Sequence, residues 1–343
     1  MKPESDSFNE YLSPVSSGTS TQAKVQTDTY AEWDTWETIN ALKHALEVYH
    51  DVILIEADEN AFEKFKETKP DIVFNIAEGF NGQSRESQIP AMLDMLQIPY
   101  TGSDALTLGT TLDKARTKEI LSYHKIPNAK FLLVDKYIPL DNHFYTFPLI
   151  VKPVSEGSSK GIFSSSLVKD YNELNKEIKR VLDEYKQPAI IEEYLPGREF
   201  TAAVLGNGND AKVLPLIEID YAGFPDDVEH LYSYEAKWIL DTKDNVFDVF
   251  VCPAKLEPEL EKQIKDAVLK TYNVLRCKDW SRIDIRLDKD NIPNIIEINP
   301  LPGILPDPNE NSSYPKAARA GGMNYDEMIQ TVLFEACKRY NLQ

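Results

Sequence analysis

Apolar and polar positions change their period along the chain. After a polar, Ser- and Thr-rich start, Asp34-Thr35-Trp36-Glu37 reads as a helix start with a capping carboxylate, and Ile39, Leu42, Leu46 and Tyr49 then mark one helical face. Val52-Ile53-Leu54-Ile55 and Ile72-Val73-Phe74-Asn75 read as short buried strands, and Ile89 to Leu96 as a helix before Ile98-Pro99-Tyr100-Thr101-Gly102. Strands alternating with helices imply a parallel α/β layer over roughly residues 30 to 110.

Beyond Leu112 the pattern becomes α+β. A helix through Asp113 to Tyr123 leads to strands at Phe131 to Val134, Pro148 to Lys152 and Ala189 to Glu192. Strand-like runs follow at Glu199 to Leu205, Val213 to Ile219 and Val246 to Val251. Leu260, Ile264, Ala267, Val268, Tyr272 and Leu275 fit one helical face, then Arg282 to Leu287 and Asn294 to Ile298 alternate as strands before a closing helix from Tyr325 to Tyr340. No internal repeat or heptad pattern is present. The expected division is a polar arm at 1–30, an α/β domain at 31–111, a central domain at 112–192 and a C-terminal α+β domain at 193–343.

Charge narrows the function. The chain has 343 residues, and 37 Lys and Arg against 56 Asp and Glu give a formal charge of −19, which disfavours nucleic acid and anionic membranes as partners. Any phosphate ligand must be held by local cations or metal. Cys252, Cys277 and Cys337 lack metal spacing and suit buried packing in a reducing compartment. His44, His50, His124, His143 and His230 are dispersed outside any nucleophile or metal motif. No run approaches transmembrane length and Met1 to Asn9 lacks signal-peptide character, so the cytoplasm is the expected location.

Two stretches carry candidate chemistry. VKPVSEGSSKGI, from Val151 to Ile162, runs from a strand-end lysine, Lys152, into a loop of small residues whose backbone amides could gather around phosphate. It is not a Walker A motif, and taken alone an ordinary hairpin is the better explanation of it. Downstream, the turn Asp288-Lys289-Asp290-Asn291 joins two alternating strands, which would place Asp284 and Glu297 on one side with Asn299 two residues on. Two acids and an amide form a hard oxygen set of the kind that Mg²⁺ on a nucleotide requires. A solvated strand face is the competing reading, with Ile283, Ile285, Ile296 and Ile298 supplying the buried side.

Residues 71 to 333 as a whole resemble the ATP-grasp superfamily, and within it the D-alanine–D-alanine ligases. The resemblance rests on NIAEGFNG, IPYTGSDALTLGTTLDKARTK, VKPVSEGSSKGI, IIEEYLPGREFTAAVLGN, YSYEAKW, CPA, WSRIDIRLD, EINPLPG and SSYPKAARAGG, in that order. It implies an ATP-grasp fold, α/β plus α+β, with an N-terminal Rossmann-like domain, a small central domain and a C-terminal α+β domain. It implies ATP and Mg²⁺, as two ions with Mn²⁺ as an alternative, amino-acid or small-peptide substrates, and a homodimer. Residue by residue, Lys114 and Lys152 match the phosphate lysines, and Glu156, Ser158 and Ser159 lie in the flap over the phosphates. Glu192, Glu193 and Leu195 lie in the adenine hinge, and Glu199 matches the ribose acid. Lys237 belongs to the mobile loop Tyr232 to Trp238. Asp284, Glu297 and Asn299 match the metal ligands, and Arg282 with the Gly303 N–H the oxyanion donors. The implied reaction activates a carboxylate as an acyl phosphate, which an amine then attacks with release of ADP and phosphate.

The match thins at the amino-acid pockets. The family's glycine-rich turn with its ammonium-binding glutamate is not found, Glu78 stands where a histidine is usual, and Arg85 and Glu86 replace small and acidic residues. Trp238 replaces a tyrosine, Pro300 a threonine, and Ile304 to Asn311 lengthens the loop before Ser312, which matches the second substrate's carboxylate contact. Glu78 and Arg85 are therefore candidate determinants of the first substrate. Two other readings stand beside a D-alanine–D-alanine ligase: a specialised amino-acid or peptide ligase, and a nucleotide-binding regulatory protein without turnover.

Overall fold

The computed structural model describes residues 33–79, 81–139, 146–221 and 249–342. The expected N-terminal arm, Lys237 with its loop, His143, His230 and the start of the run Val246 to Val251 lie outside the described residues. The chain divides into two compact units, of which the smaller is built mainly from residues 129–194 and the larger from 37–128, 195–223 and 248–343.

The smaller unit is an antiparallel sheet with a helix on it. Strands β1 (Phe131–Val134), β2 (Leu149–Pro153), β3 (Leu167–Val168) and β4 (Ala189–Glu193) lie in the order β1-β4-β2-β3. Asp170 caps the helix Tyr171–Glu184 by accepting from the amides of Asn172 and Glu173 at 2.7 and 2.9 Å. Leu174, Ile178 and Val181 follow at helical spacing and are fully buried against Leu149, Val151, Val168, Ala189 and Ile191. Burying each such side chain stabilises the sheet–helix contact by about 1.5–3 kcal/mol. Every residue of β2 is buried, Lys152 included.

In the larger unit, β5 (Glu199–Leu205), β6 (Lys212–Val213), β7 (Ile217–Ile219), β8 (Phe250–Val251), β9 (Trp280–Leu287) and β10 (Pro293–Asn299) form a sheet in the order β10-β9-β5-β7-β8, with β6 on β5. The run Val213 to Ile219 is thus two short strands separated by Leu214-Pro215-Leu216, where proline cannot donate to a ladder. One sheet face buries Phe200, Ala202, Val204, Ile283, Ile285, Ile295 and Ile298 together with Ile264, Val268 and Tyr272 of the helix Pro258–Val274. The opposite positions of β5, β9 and β10 are largely polar.

The β9–β10 turn is closed by Asp288, whose Oδ1 accepts from the amides of Asp290 and Ile292 at 2.8 and 2.9 Å. The register differs from simple alternation in one place. Ile295 faces Ile285, but Glu297 faces Asp284, so Ile296 is a bulge residue. Ile295, not Ile296, fills the core; Ile296 is only half-buried.

Residues 37–128 supply helices Ala61–Thr68, Gln88–Leu96, Ala105–Leu112 and Lys114–Tyr123. Ala61, Phe65, Ile89, Leu93 and Tyr100 form their local core. Val73 pairs in parallel with Tyr100, through Val73 N to Pro99 O at 2.8 Å and Thr101 N to Val73 O at 2.9 Å. The expected buried strand Val52 to Ile55 is not one. It carries no regular secondary structure, and Ile53 and Leu54 are exposed. An apolar run becomes a buried strand only where a second strand pairs with it and a layer covers it, and among the described residues nothing pairs with this one. No helix among them is long and apolar enough to cross a membrane.

Candidate active site

The bulge decides which way the β10 acid points. Continued without it, the register that opposes Ile285 to Ile295 would turn Glu297 onto the core face. With it, Glu297 opposes Asp284 and Asn299 opposes Arg282 on the polar face. Arg282 makes a two-point contact with Asp284, Nε to Oδ1 at 3.2 Å and Nη2 to Oδ2 at 3.0 Å, and the Asn299 amide approaches Oδ2 at 3.4 Å. Burial works against the Arg282 charge, but the carboxylates of Asp284, Glu297 and Glu78 outweigh it and hold the guanidinium above its ordinary value. Glu78, remote in sequence, therefore lies within electrostatic reach of this cluster.

Lys114 joins the cluster from the first turn of its helix. Asp113 caps that helix by accepting from the Arg116 amide at 2.9 Å, and the Lys114 amine sits 2.7 Å from Glu297 Oε1. Lys118, one turn on, is the residue the sequence reading passed over: it is almost wholly buried. Its i+4 spacing from Lys114 was the available signal, because a lysine on the inner side of a helix must have its charge answered.

In the smaller unit, Lys152 on β2 and Glu192 on β4 form an ion pair of 3.1 Å with both side chains buried. The loop after β2 is held at its two ends. Gln187 accepts from the Ser155 amide and donates to Glu156, both at 2.7 Å, and Arg180 donates to the Gly161 carbonyl at 2.9 Å. Lys160 pairs with Glu156 at 3.1 Å. Between these anchors Ser158 and Ser159 take left-handed φ values of 50° and 59°. Such non-glycine conformations cost of order 1 kcal/mol each and tend to gather at ligand-binding loops. Glu193, at the end of β4, has its amide bonded to the Lys130 carbonyl at 2.9 Å; Leu195 begins the next segment of the larger unit and is buried.

Glu199 opens β5 and faces Arg286 on β9. Its Oε2 accepts from Arg286 Nη1 at 3.0 Å and from the Tyr221 hydroxyl at 2.7 Å. Arg85 and Glu86 lie in a short 3₁₀ turn, both buried, and Gly79 packs against it so closely that a Cβ there would meet the Arg85 carbonyl oxygen at 2.6 Å. Asn75 leads into Glu78: its amide donates to Thr101 Oγ1 at 3.0 Å, and its side-chain oxygen accepts from the Ala77 amide at 3.1 Å. Gly303 borders open space. Ser312 is turned to its own loop, accepting from the Leu305 amide at 3.1 Å and contacting the Gly303 carbonyl at 3.3 Å.

The hairpin set suits a divalent cation in one specific way. Among the described residues no three His, Cys, Asp or Glu side chains gather to hold a metal by themselves. Two carboxylates and an amide do converge, and Thr201, opposite Asp284 on β5, buries a hydroxyl that has no hydrogen-bond partner among them. Oxygen donors in this number fit Mg²⁺ that takes its other ligands from phosphate and water.

The chain is similar to known proteins over most of its length. The family model described as D-ala D-ala ligase C-terminus matches residues 124–334. The uncharacterized protein y4sG of Sinorhizobium fredii is 33% identical over 302 residues, covering 85% of this chain and 84% of that protein. A D-alanine–D-alanine ligase of Pelotomaculum thermopropionicum is 30% identical over 308 residues, covering 87% and 90%. The crystal structure of the D-alanine–D-alanine ligase from Bacillus anthracis complexed with ATP is similar with a TM-score of 0.69 at 25% identity, over 94% of this chain and 96% of that one.

Proposed function

The chain belongs to the D-alanine–D-alanine ligase family of ATP-grasp enzymes, and we propose that it joins an amino-acid carboxylate to an amine at the expense of ATP. The observation that carries this reading is the bulged β9–β10 hairpin, which sets Asp284 against Glu297 while Arg282 and Lys114 answer their charges. Asp284, Glu297 and Asn299 would hold Mg²⁺, as two ions or as Mn²⁺ in its place. The bound cation supplies charge neutralisation at the transferring phosphoryl group.

The chain's own residues do the rest. Lys114 and Lys152 bind nucleotide phosphate, and the Ser158-Ser159 loop with Glu156 covers it and excludes water. Glu192, Glu193 and Leu195 take adenine, and Glu199 takes the ribose. A carboxylate oxygen of the first substrate attacks the γ-phosphorus, the bond to the β–γ bridging oxygen breaks, and ADP leaves. The amine of the second substrate then attacks the acyl carbon, loses a proton, and the carbon–oxygen bond to phosphate breaks. Arg282 and the Gly303 N–H stabilise the oxyanion, each donor contributing about 3 kcal/mol. Lys237, outside the described residues, is assigned to loop closure. Glu78 and Arg85 are assigned to the first amino acid and Ser312 to the second; a homodimer in the cytoplasm, divided at 30, 111 and 192, completes the reading.

One observation favours substrates other than two D-alanines. The Ser312 hydroxyl, the residue matching the second carboxylate contact, is engaged by Leu305 and Gly303 of its own lengthened loop. ATP-dependent phosphate release with pooled D- and L-amino acids, followed by mass detection of the amide, tests the proposal. Release with an amide product supports it; binding of ATP with no release under any pool would leave the non-catalytic reading in its place.

A further inference from the structure

Glu199 is held more firmly than a solvent-facing acid needs to be. The chain just before it is fastened to β9 by two bonds: Gly197 N donates to Leu287 O at 3.0 Å, and Leu287 N to Arg198 O at 2.9 Å. A Cβ at Gly197 would sit 2.6 Å from the Leu287 carbonyl oxygen, so only glycine permits this approach. Arg198 turns the other way, forking onto Glu218 through two bonds of 2.6 Å and donating to the Lys255 carbonyl at 3.0 Å.

On the Glu199 side, two donors converge on one oxygen. Arg286 Nη1 at 3.0 Å and the Tyr221 hydroxyl at 2.7 Å both reach Oε2, and Arg286 Nε reaches back to the Gly197 carbonyl at 3.3 Å. The guanidinium also lies 5.9 Å from the Tyr221 ring centre. Arg286 is 4% exposed, so its position is set by the fold and not by solvent.

We infer that Arg286 and Tyr221 are positioning residues for nucleotide recognition: by fixing the plane of the Glu199 carboxylate and cancelling its charge, they make the site select ribonucleotides over 2′-deoxyribonucleotides. The inference rests on the assignment of Glu199 to the ribose. A carboxylate already fixed in rotation accepts two hydrogen bonds from a vicinal diol without the cost of ordering it first, and hydrogen bonds to a charged acceptor are the strong ones. Charge matters as much. In a chain of net charge −19, an acid beside a polyphosphate repels its ligand unless a cation is paired with it, and Arg286 is that cation.

The test uses the full-length protein and direct titration with ATP and with 2′-deoxy-ATP, alongside thermal melting. The unsubstituted protein should prefer ATP by about tenfold, as one charge-assisted hydrogen bond implies. Tyr221→Phe and Arg286→Lys, each still folded by melting, should narrow that preference to within about threefold, and Glu199→Gln should remove it. A preference that persists in Tyr221→Phe and Arg286→Lys but collapses in Glu199→Gln overturns the positioning role. A preference that persists in all three overturns the Glu199 assignment and the inference with it, while amide formation, assayed separately, still decides the ligase reading.

Discussion

The two sheets carry the same kind of pair, a lysine against a glutamate, with different access to solvent. In the smaller sheet Lys152 and Glu192 lie 3.1 Å apart with side-chain exposures of 6% and 3%. In the larger one Lys114 and Glu297 lie 2.7 Å apart at 6% and 21%. Both lysines are buried; only the second acid is open. A sealed pair balances charge inside the protein, and breaking it from one side leaves the other charge buried. The Glu297 carboxylate reaches solvent where that of Glu192 does not. The difference suits the cation site proposed for the larger sheet's acids, and it makes Lys152 the residue whose loss the fold itself would feel.

The sharpest way to break this comparison is Glu297→Gln. It keeps the shape of the side chain and removes an anion from the proposed metal set. Amide formation should fall by at least about 10³-fold, as loss of a principal charge-stabilising group at a reacting phosphoryl does, while the protein stays folded, with a melting temperature lowered to the extent that the buried Lys114 amine relies on this carboxylate. Product detected by mass spectrometry at near-normal rates in saturating Mg²⁺ would remove Glu297 from the site.

Next in size is the contrast between the two lysines. Lys152→Met leaves Glu192 in the interior without its cation, and breaking a buried pair from one side costs about 3–5 kcal/mol. Lys114→Met leaves Glu297 partly in water and should cost about 1 kcal/mol or less. Chemical denaturation of the two variants checks the difference, and Lys152→Met with Glu192→Gln should recover most of the loss. Both single variants should also weaken ATP binding, since each removes a cation from a strongly negative protein. Equal stabilities for the two would mean that exposure does not distinguish the pairs.

These sheets were legible in the sequence to different depths. Alternation located β9 and β10, the Asp288 turn and the side on which Asp284 lies, because a period of two is a direct record of which face is buried. It misplaced Ile296 into the core, because an inserted bulge residue leaves the composition of a strand unchanged and shifts only its register. The pairing of Lys152 with Glu192 was hidden for another reason: the two meet diagonally across β2 and β4, 40 residues apart in sequence, and nothing local records which residues meet. Arg286 and Tyr221 were missed likewise, since their link to Glu199 exists only once β5 and β9 are paired. Val52 to Ile55 failed in the opposite direction. Its apolar run is real, and pairing, not composition, is what makes a buried strand.

The smallest expected effect concerns charges that belong to neither sheet. Glu78 contributes to the field that holds the Arg282 proton, and Arg85 and Glu86 are both buried in a turn against which Gly79 packs. A salt bridge on the surface would leave Arg85 and Glu86 in solvent, whereas both are buried and Glu78 is half-buried. Glu78 can pair with a substrate ammonium group, and Arg85 can take a carboxylate or orient Glu86. Glu78→Gln and Arg85→Ala should therefore raise the amino-acid KM by about tenfold, the loss of one charge-assisted hydrogen bond, or change which amino acid is accepted. ATP titration should be unaltered, because no nucleotide contact is assigned to either residue. Steady-state kinetics against each accepted amino acid reads the first effect and direct titration the second. Unchanged amino-acid kinetics in both variants would return Glu78 and Arg85 to a purely structural role, and weakened ATP binding would move them from the amino-acid pocket to the nucleotide.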